Sequence, residues 1–210
     1  MTQITEKLWA GYRRFQHGDY TDQKALYETL GKGQSPEIMV ISCADSRVDP
    51  TDIFNARPGD IFVVRNVANI VPPADKSTAY PEVPAALEFA VTVIKVKMIV
   101  IMGHEDCGGV AGCLAGMGDN PDAGHIGRWV SLMDDARERV LGRDLPKWEH
   151  QFETELENVR QSIDNLMSYD FVNQAVKAGQ LSLGGAYFNI TQARLLWADE
   201  QGHFQRVEAD

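Results

Sequence analysis

The sequence predicts an α/β protein with a mainly parallel central sheet flanked by helices, an N-terminal helical arm and a helical C-terminal half. Three observations carry this. Short apolar runs rich in β-branched residues alternate with stretches of helical spacing, the pattern of strands joined by crossover helices. The first 32 residues carry apolar residues at helical spacing before the first such run. Beyond residue 120, helical spacing dominates until a final strand-like pair.

The elements follow in order. Leu8, Tyr12 and Phe15 share one helical face, and Ala25, Leu26 and Leu30 suggest a second helix ending near Gly31 and Gly33. Such an arm packs on its own core or reaches across to a partner subunit. Glu37 to Ser42, Asp60 to Val64 and Met98 to Met102 read as buried parallel strands. Val83 to Val96 has helical spacing through Leu87, Val91 and Ile94. Arg128 to Leu141 and Phe152 to Ala178 read as helical, with Gly179 as a stop. Leu181 to Ile190 and Arg194 to Ala198 read as a terminal strand or hairpin. No stretch rich in Pro, Gly or Ser marks a boundary, so residues 1–210 are expected to form one domain, with 1–32 as its arm.

Composition limits the function. The chain has 210 residues, 44% hydrophobic and 24% charged, with a formal net charge of −10. That balance argues against nucleic acid and anionic membranes as partners, since both demand a basic patch. The most apolar run, Met98 to Met102, is far shorter than the roughly 20 residues a spanning helix needs. The N-terminus has no signal-peptide core, so a cytoplasmic protein is expected. There, the three cysteines suggest metal binding, catalysis or burial rather than disulfides.

Two motifs carry chemistry: Cys43-Ala44-Asp45-Ser46-Arg47, directly after the first strand, and His104-Glu105-Asp106-Cys107-Gly108-Gly109, just after the third. Strand ends of an open α/β sheet are where sites form. Two thiolates and an imidazole suit tetrahedral zinc, and three ligands leave a fourth position, as catalytic zinc sites do. Water or the Asp45 carboxylate are the candidates for it. Arg47 can fork onto Asp45 and keep it ionised. Gly108 and Gly109 allow close approach of backbone, with N–H groups able to face an anion.

C-x-D-S-R followed about 60 residues later by H-x-x-C-G-G resembles the β-carbonic anhydrases. The likeness runs from Gly33 to about Val110, through Gly33-Gln34-Ser35-Pro36, Pro58-Gly59-Asp60, Arg65 to Asn69 and Leu87 to Val91, with a weaker echo at Val159, Asn165-Leu166 and Leu183-Gly184-Gly185. The resemblance implies one zinc ion per subunit on Cys43, His104 and Cys107, with Asp45 joining only in a closed state. It implies Asp45 and Arg47 as the catalytic dyad, and reversible hydration of carbon dioxide to bicarbonate and a proton by hydroxide generated at the metal. It implies that Gln34 donates to bicarbonate, and that Phe62, Val67 and Phe89 line an apolar pocket, partly from the neighbouring subunit, near the Gly108 amide. It implies a homodimer or homotetramer whose N-terminal helices embrace the partner. One subgroup of the family has a second, inhibitory bicarbonate site. Of its three parts only Arg65 is present, with Val40 and Phe188 standing where Trp and Tyr would be, so that site is expected to be absent. Rival readings are a carbon disulfide hydrolase-like relative, a non-catalytic structural zinc protein and a redox protein using Cys43 and Cys107. Cys113 is expected to be packed and inert.

Overall fold

The computed structural model describes residues 2–208. They form two compact units, residues 2–35 and 36–208.

The first unit is helical. Helix α1 spans Gln3–His17, with the Thr2 hydroxyl accepting from the Thr5 N–H at its start. Short α2 (Asp19–Asp22) and α3 (Lys24–Leu30) follow. Phe15, Tyr20 and Tyr27 cluster their rings within the unit. Ile4, Leu8 and Tyr12 of α1 remain 74%, 69% and 60% exposed, an apolar stripe without cover in the single chain.

The second unit is a six-stranded sheet, β1 (Ile38–Cys43), β2 (Ile61–Asn66), β3 (Met98–His104), β4 (Ser182–Asn189), β5 (Arg194–Ala198) and β6 (Phe204–Arg206), in the order β2-β1-β3-β4-β5-β6. The first four strands pair in parallel; β5 and β6 are added antiparallel. Alternation of side chains gives the sheet two cores. Met39, Ile41, Ile99 and Ile101 face one, with Val159 and Leu166; Val40, Val100, Met102 and Ala186 face the other, with Trp197. Because β1 and β3 are central, nearly all their residues are buried.

The helices of this unit are α4 (Pro50–Ile53), α5 (Glu82–Glu88), α6 (Gly108–Leu114), α7 (Gly124–Val130), α8 (Asp134–Leu141), α9 (His150–Met167) and α10 (Asp170–Lys177). The expected helix over 83–96 is α5 followed by a wider π-helical segment, Phe89–Ile94, closed by Lys95 at φ 64°. The helical stretch 128–141 is divided by a 3-10 turn at Ser131–Met133, and 152–178 breaks at Ser168 and Tyr169 between α9 and α10. Tyr169 is extended and directs its hydroxyl to the Pro72 carbonyl, 2.7 Å away. Gly179, at φ 67°, stops α10. The expected terminal hairpin is β4–β5, and β6 extends it by one more strand.

Helix α9 lies hard against the sheet. A Cβ on Gly103 of β3 would come within 2.8 Å of Val159 Cγ2, so only glycine permits this approach. Helix α9 and the break after it also carry a polar row at alternating spacings of three and four. Asn158, Ser162, Asn165 and Tyr169 hold backbone carbonyls of Ala68, Asn69, Val71 and Pro72. The segment after β2, which has only short 3-10 turns of its own, is thereby fixed by side chains.

Candidate metal centre

Cys43 ends β1, His104 ends β3 and Cys107 begins the turn into α6, all at the carboxyl edge of the sheet. Their Sγ, ring nitrogen and Sγ atoms lie within 4.8 Å of one another, and the three residues are 5%, 1% and 2% exposed. The two sulfurs are 4.0 Å apart. His104 Nδ1 lies 2.8 Å from the Glu105 carbonyl, which makes it the protonated nitrogen; Nε2 is buried and has no hydrogen-bond partner. An unpartnered buried nitrogen between two thiols is costly unless something accepts its lone pair. A soft cation does so, and the N/S donor set fits zinc.

The electrostatics agree. The Cys107 thiol beside it and the His104 ring, against the cost of burial, hold Cys43 well below its ordinary pKa, with the Ala68 N–H donating to its sulfur at 3.3 Å. Cys107 is pushed up in turn, by its bond to Cys43 and by burial. A dication bound by both sulfurs would displace the thiol proton of the pair. Burial lowers the His104 pKa, but the neighbouring Cys43 sulfur outweighs it and the net shift is upward.

Asp45 is not among the converging donors. Arg47 grips it with both guanidinium arms, Nε to Oδ1 at 2.9 Å and Nη2 to Oδ2 at 2.7 Å, and its backbone N–H adds a third bond to Oδ1 at 2.9 Å. These bonds hold the carboxyl well below the usual carboxylate range. Oδ2 still stands 4.0 Å from His104 Nε2, so an ionised acceptor faces the ligand group from just outside it. Arg65 organises the same turn. It donates to the carbonyls of Cys43, Asp45 and Val48 and pairs with Asp49 at 2.9 Å.

The other expected site residues separate into two groups. Val67 follows β2 beside the centre; a Cβ on Gly109 would meet Val67 Cγ1 at 2.7 Å and Ala68 Cβ at 2.9 Å. The second glycine of H-x-x-C-G-G therefore serves close packing. Gly108 is exposed, with open space where a side chain would stand. Phe62 and Phe89 pair with each other, ring centroids 6.0 Å apart. Phe62 stands opposite Met39, whereas Cys43 stands opposite Asn66. Four residues of strand, about 13 Å, thus separate Phe62 from the metal end. Gln34 lies exposed in the first unit. Cys113 is fully buried, and burial pushes its thiol up to about 12.

Three contributors were not anticipated. Glu155, 3% exposed, accepts the Cys107 N–H at 2.8 Å, Gln151 Nε2 at 2.6 Å and the Tyr187 hydroxyl at 2.7 Å. Gln151 also donates to the Cys107 carbonyl at 3.1 Å. The signal was present: Glu155 sits four residues before Val159 on the apolar stripe of α9, where an acid is out of place.

A buried Cys/His/Cys group at the carboxyl edge of a parallel sheet, with an arginine-held aspartate beside it, defines a metalloenzyme-type centre. The carbonic anhydrase family model matches residues 38–195. Among similar proteins, β carbonic anhydrase 3 of Arabidopsis thaliana is 37% identical over 198 residues, covering 91% of this chain and 76% of the relative. The mitochondrial β carbonic anhydrase 6 of the same plant is 34% identical, covering 88% of this chain and 64% of its own length. The solved structure of the β-carbonic anhydrase CcaA superposes with a TM-score of 0.92 at 29% identity, covering 99% of this chain and 94% of that one. A tetrameric β-carbonic anhydrase from Sordaria macrospora gives 0.70 at 31% identity, covering 98% and 94%. The chain belongs to the β-carbonic anhydrase family, enzymes that interconvert carbon dioxide and bicarbonate.

Proposed function

We propose that each chain holds one zinc ion on Cys43 Sγ, His104 Nε2 and Cys107 Sγ and hydrates carbon dioxide there, with Asp45 outside the coordination sphere. The observation that carries this reading is the triple grip of Arg47 on Asp45, which turns the carboxylate from a fourth ligand into a fixed acceptor. Bound zinc would supply the Lewis acidity that lets water lose a proton near neutral pH, tempered because two thiolates cancel the ion's charge. Asp45 accepts a hydrogen bond from the attacking water and orients it; Arg47 keeps Asp45 ionised and in place. Val67 offers uncharged carbon dioxide an apolar wall, and the open space at Gly108 leaves its amide free to face an anionic product.

Phe62, Phe89 and Gln34 are assigned to the same pocket from a second copy of the chain. The strand distance between Phe62 and Cys43 and the 44% exposure of Phe89 support a contribution across an interface. The uncovered stripe of α1 supports a homo-oligomer built on a dimer, in which arm and body act as one functional domain. Three free, buried cysteines and the absence, among the described residues, of any helix able to cross a membrane favour the cytoplasm. Arg65, occupied by four acceptors between Cys43 and Asp49, with Val40 in the core, supports an enzyme without the inhibitory bicarbonate site.

Removing metal with a strong chelator should abolish carbon dioxide hydration, and one equivalent of zinc per chain should restore it. Hydration that persists in metal-free protein overturns the proposal. A wild-type enzyme that bicarbonate inhibits cooperatively contradicts the last part alone.

A further inference from the structure

The peptide unit joining Asp106 to Cys107 is held at both ends by side chains distant in sequence. Its carbonyl accepts Arg47 Nη2 at 3.1 Å, and its N–H donates to Glu155 Oε1 at 2.8 Å. Asp106 is at φ 52°, a left-handed conformation that non-glycine residues hold only when their surroundings enforce it. The next peptide is held too, its carbonyl accepting Gln151 Nε2 at 3.1 Å. Gln151 and Glu155 lie one turn apart on α9 and therefore on one face, so together they fix the backbone of Cys107 from the buried side. Tyr187, on β4, donates to the second Glu155 oxygen at 2.7 Å. No cationic side chain pairs with Glu155 among the described residues.

We propose that Glu155 is a positioning residue of the metal centre. Its carboxylate, braced by Gln151 and Tyr187, sets the Cys107 peptide so that the sulfur meets the ion. The same peptide links the buried carboxylate to the catalytic dyad. The run Glu155 carboxylate, peptide N–H, peptide C=O, Arg47, Asp45 is a continuous line of hydrogen bonds in which each member polarises the next. Glu155 thus steadies both a metal ligand and the arginine that holds Asp45. Such supports orient ligands that would otherwise sample several directions, and their loss typically costs 10–100-fold in metal affinity. The inference rests on the zinc reading above, and goes beyond it by assigning a role to a residue that touches neither metal nor substrate.

The test uses the full-length protein and metal alone. Cobalt(II) is titrated into metal-free wild type, Glu155→Gln, Tyr187→Phe and Glu157→Gln, and its thiolate charge-transfer absorption is followed; zinc affinity is then read by competition. Glu157 lies on the same helix, 6% exposed, and binds Arg139, Arg143 and Arg160, so its variant lowers stability without touching the Cys107 peptide. Glu155→Gln should weaken zinc binding 10–100-fold and alter the cobalt spectrum. Tyr187→Phe should do the same to a smaller degree, and it carries the test if Glu155→Gln does not fold. Glu157→Gln should lose thermal stability but keep wild-type zinc affinity and spectrum. Wild-type affinity, within about twofold, in the folded Glu155 and Tyr187 variants overturns the inference while leaving the zinc reading intact, and so does an equal loss in Glu157→Gln. A wild type that binds no cobalt or zinc overturns the zinc reading, and this inference with it.

Discussion

The carboxyl end of β1 and β3 and the amino end of β2 are built to different standards. At the first, each group is fixed by at least one hydrogen bond. Cys43 receives the Ala68 N–H, His104 is oriented by the Glu105 carbonyl, Cys107 is held by Glu155 and Gln151, and Asp45 takes three bonds from Arg47. At the second, Phe62 is partly buried against the core and pairs with Phe89, which remains 44% exposed. The contrast fits the proposal above, in which the metal ligands come from one chain and the substrate pocket is completed by a second.

The largest effect should come from Cys43→Ser, which breaks the complete half. The protein should stay folded, bind less than one zinc per chain and show no hydration above background; full zinc content by metal analysis would contradict the ligand assignment. Next, the shared pocket can be tested by complementation. Phe62→Ala should lower kcat/KM roughly 10-fold, the scale of a lost apolar pocket contact. Mixing and reassembling Phe62→Ala with inactive Asp45→Asn chains should recover activity, because one site of each mixed dimer combines an intact Asp45 with the partner's intact Phe62. No recovery in a verified mixed oligomer would place Phe62 in its own chain's site or outside any site. A smaller effect is expected from Gly109→Ala, whose Cβ would collide with Val67 and Ala68; a cost of about 1–3 kcal/mol, read by denaturant unfolding, should accompany reduced activity.

The smallest effect concerns pH and the buried Cys113. Its thiol is raised from an ordinary value of 9.0 to about 12, chiefly by burial. A raised folded-state value favours the protonated thiol, so the stabilisation is complete below pH 9 and declines as pH rises from about 9 towards 12. Thermal unfolding between pH 8 and 11 should fall less steeply in Cys113→Ala than in the wild type. Equal slopes would show that Cys113 titrates normally.

The two regions also differed in how far the sequence revealed them. The converging Cys43, His104 and Cys107 were legible because Cys43 and His104 end apolar strands, Cys107 follows His104 by three residues, and strand ends of parallel sheets converge. The fold class was legible in the alternation of strand and helix periods, and β4–β5 in its final apolar runs. The interruptions were not, since the 3-10 turn at Ser131–Met133 and the π segment at Phe89–Ile94 keep apolar residues near helical spacing. Strand β6, three residues long, offers too little pattern to detect. The support of Cys107 by Glu155 was hidden because it joins residues 48 apart, and only the misfit of an acid on an apolar stripe hinted at it. The open posture of Asp45 was undecidable from spacing, since two residues allow the carboxylate to reach either the metal or Arg47.

Most direct is a paired measurement on wild type and Asp45→Asn: zinc per chain, and stopped-flow carbon dioxide hydration from pH 6 to 9. With Asp45 outside the coordination sphere, both proteins should hold one zinc. The wild type should gain activity as pH rises above neutral, and the variant should be slower by roughly 10²-fold or more. Zinc lost with the Asp45 carboxylate, or hydration unchanged without it, would contradict this account.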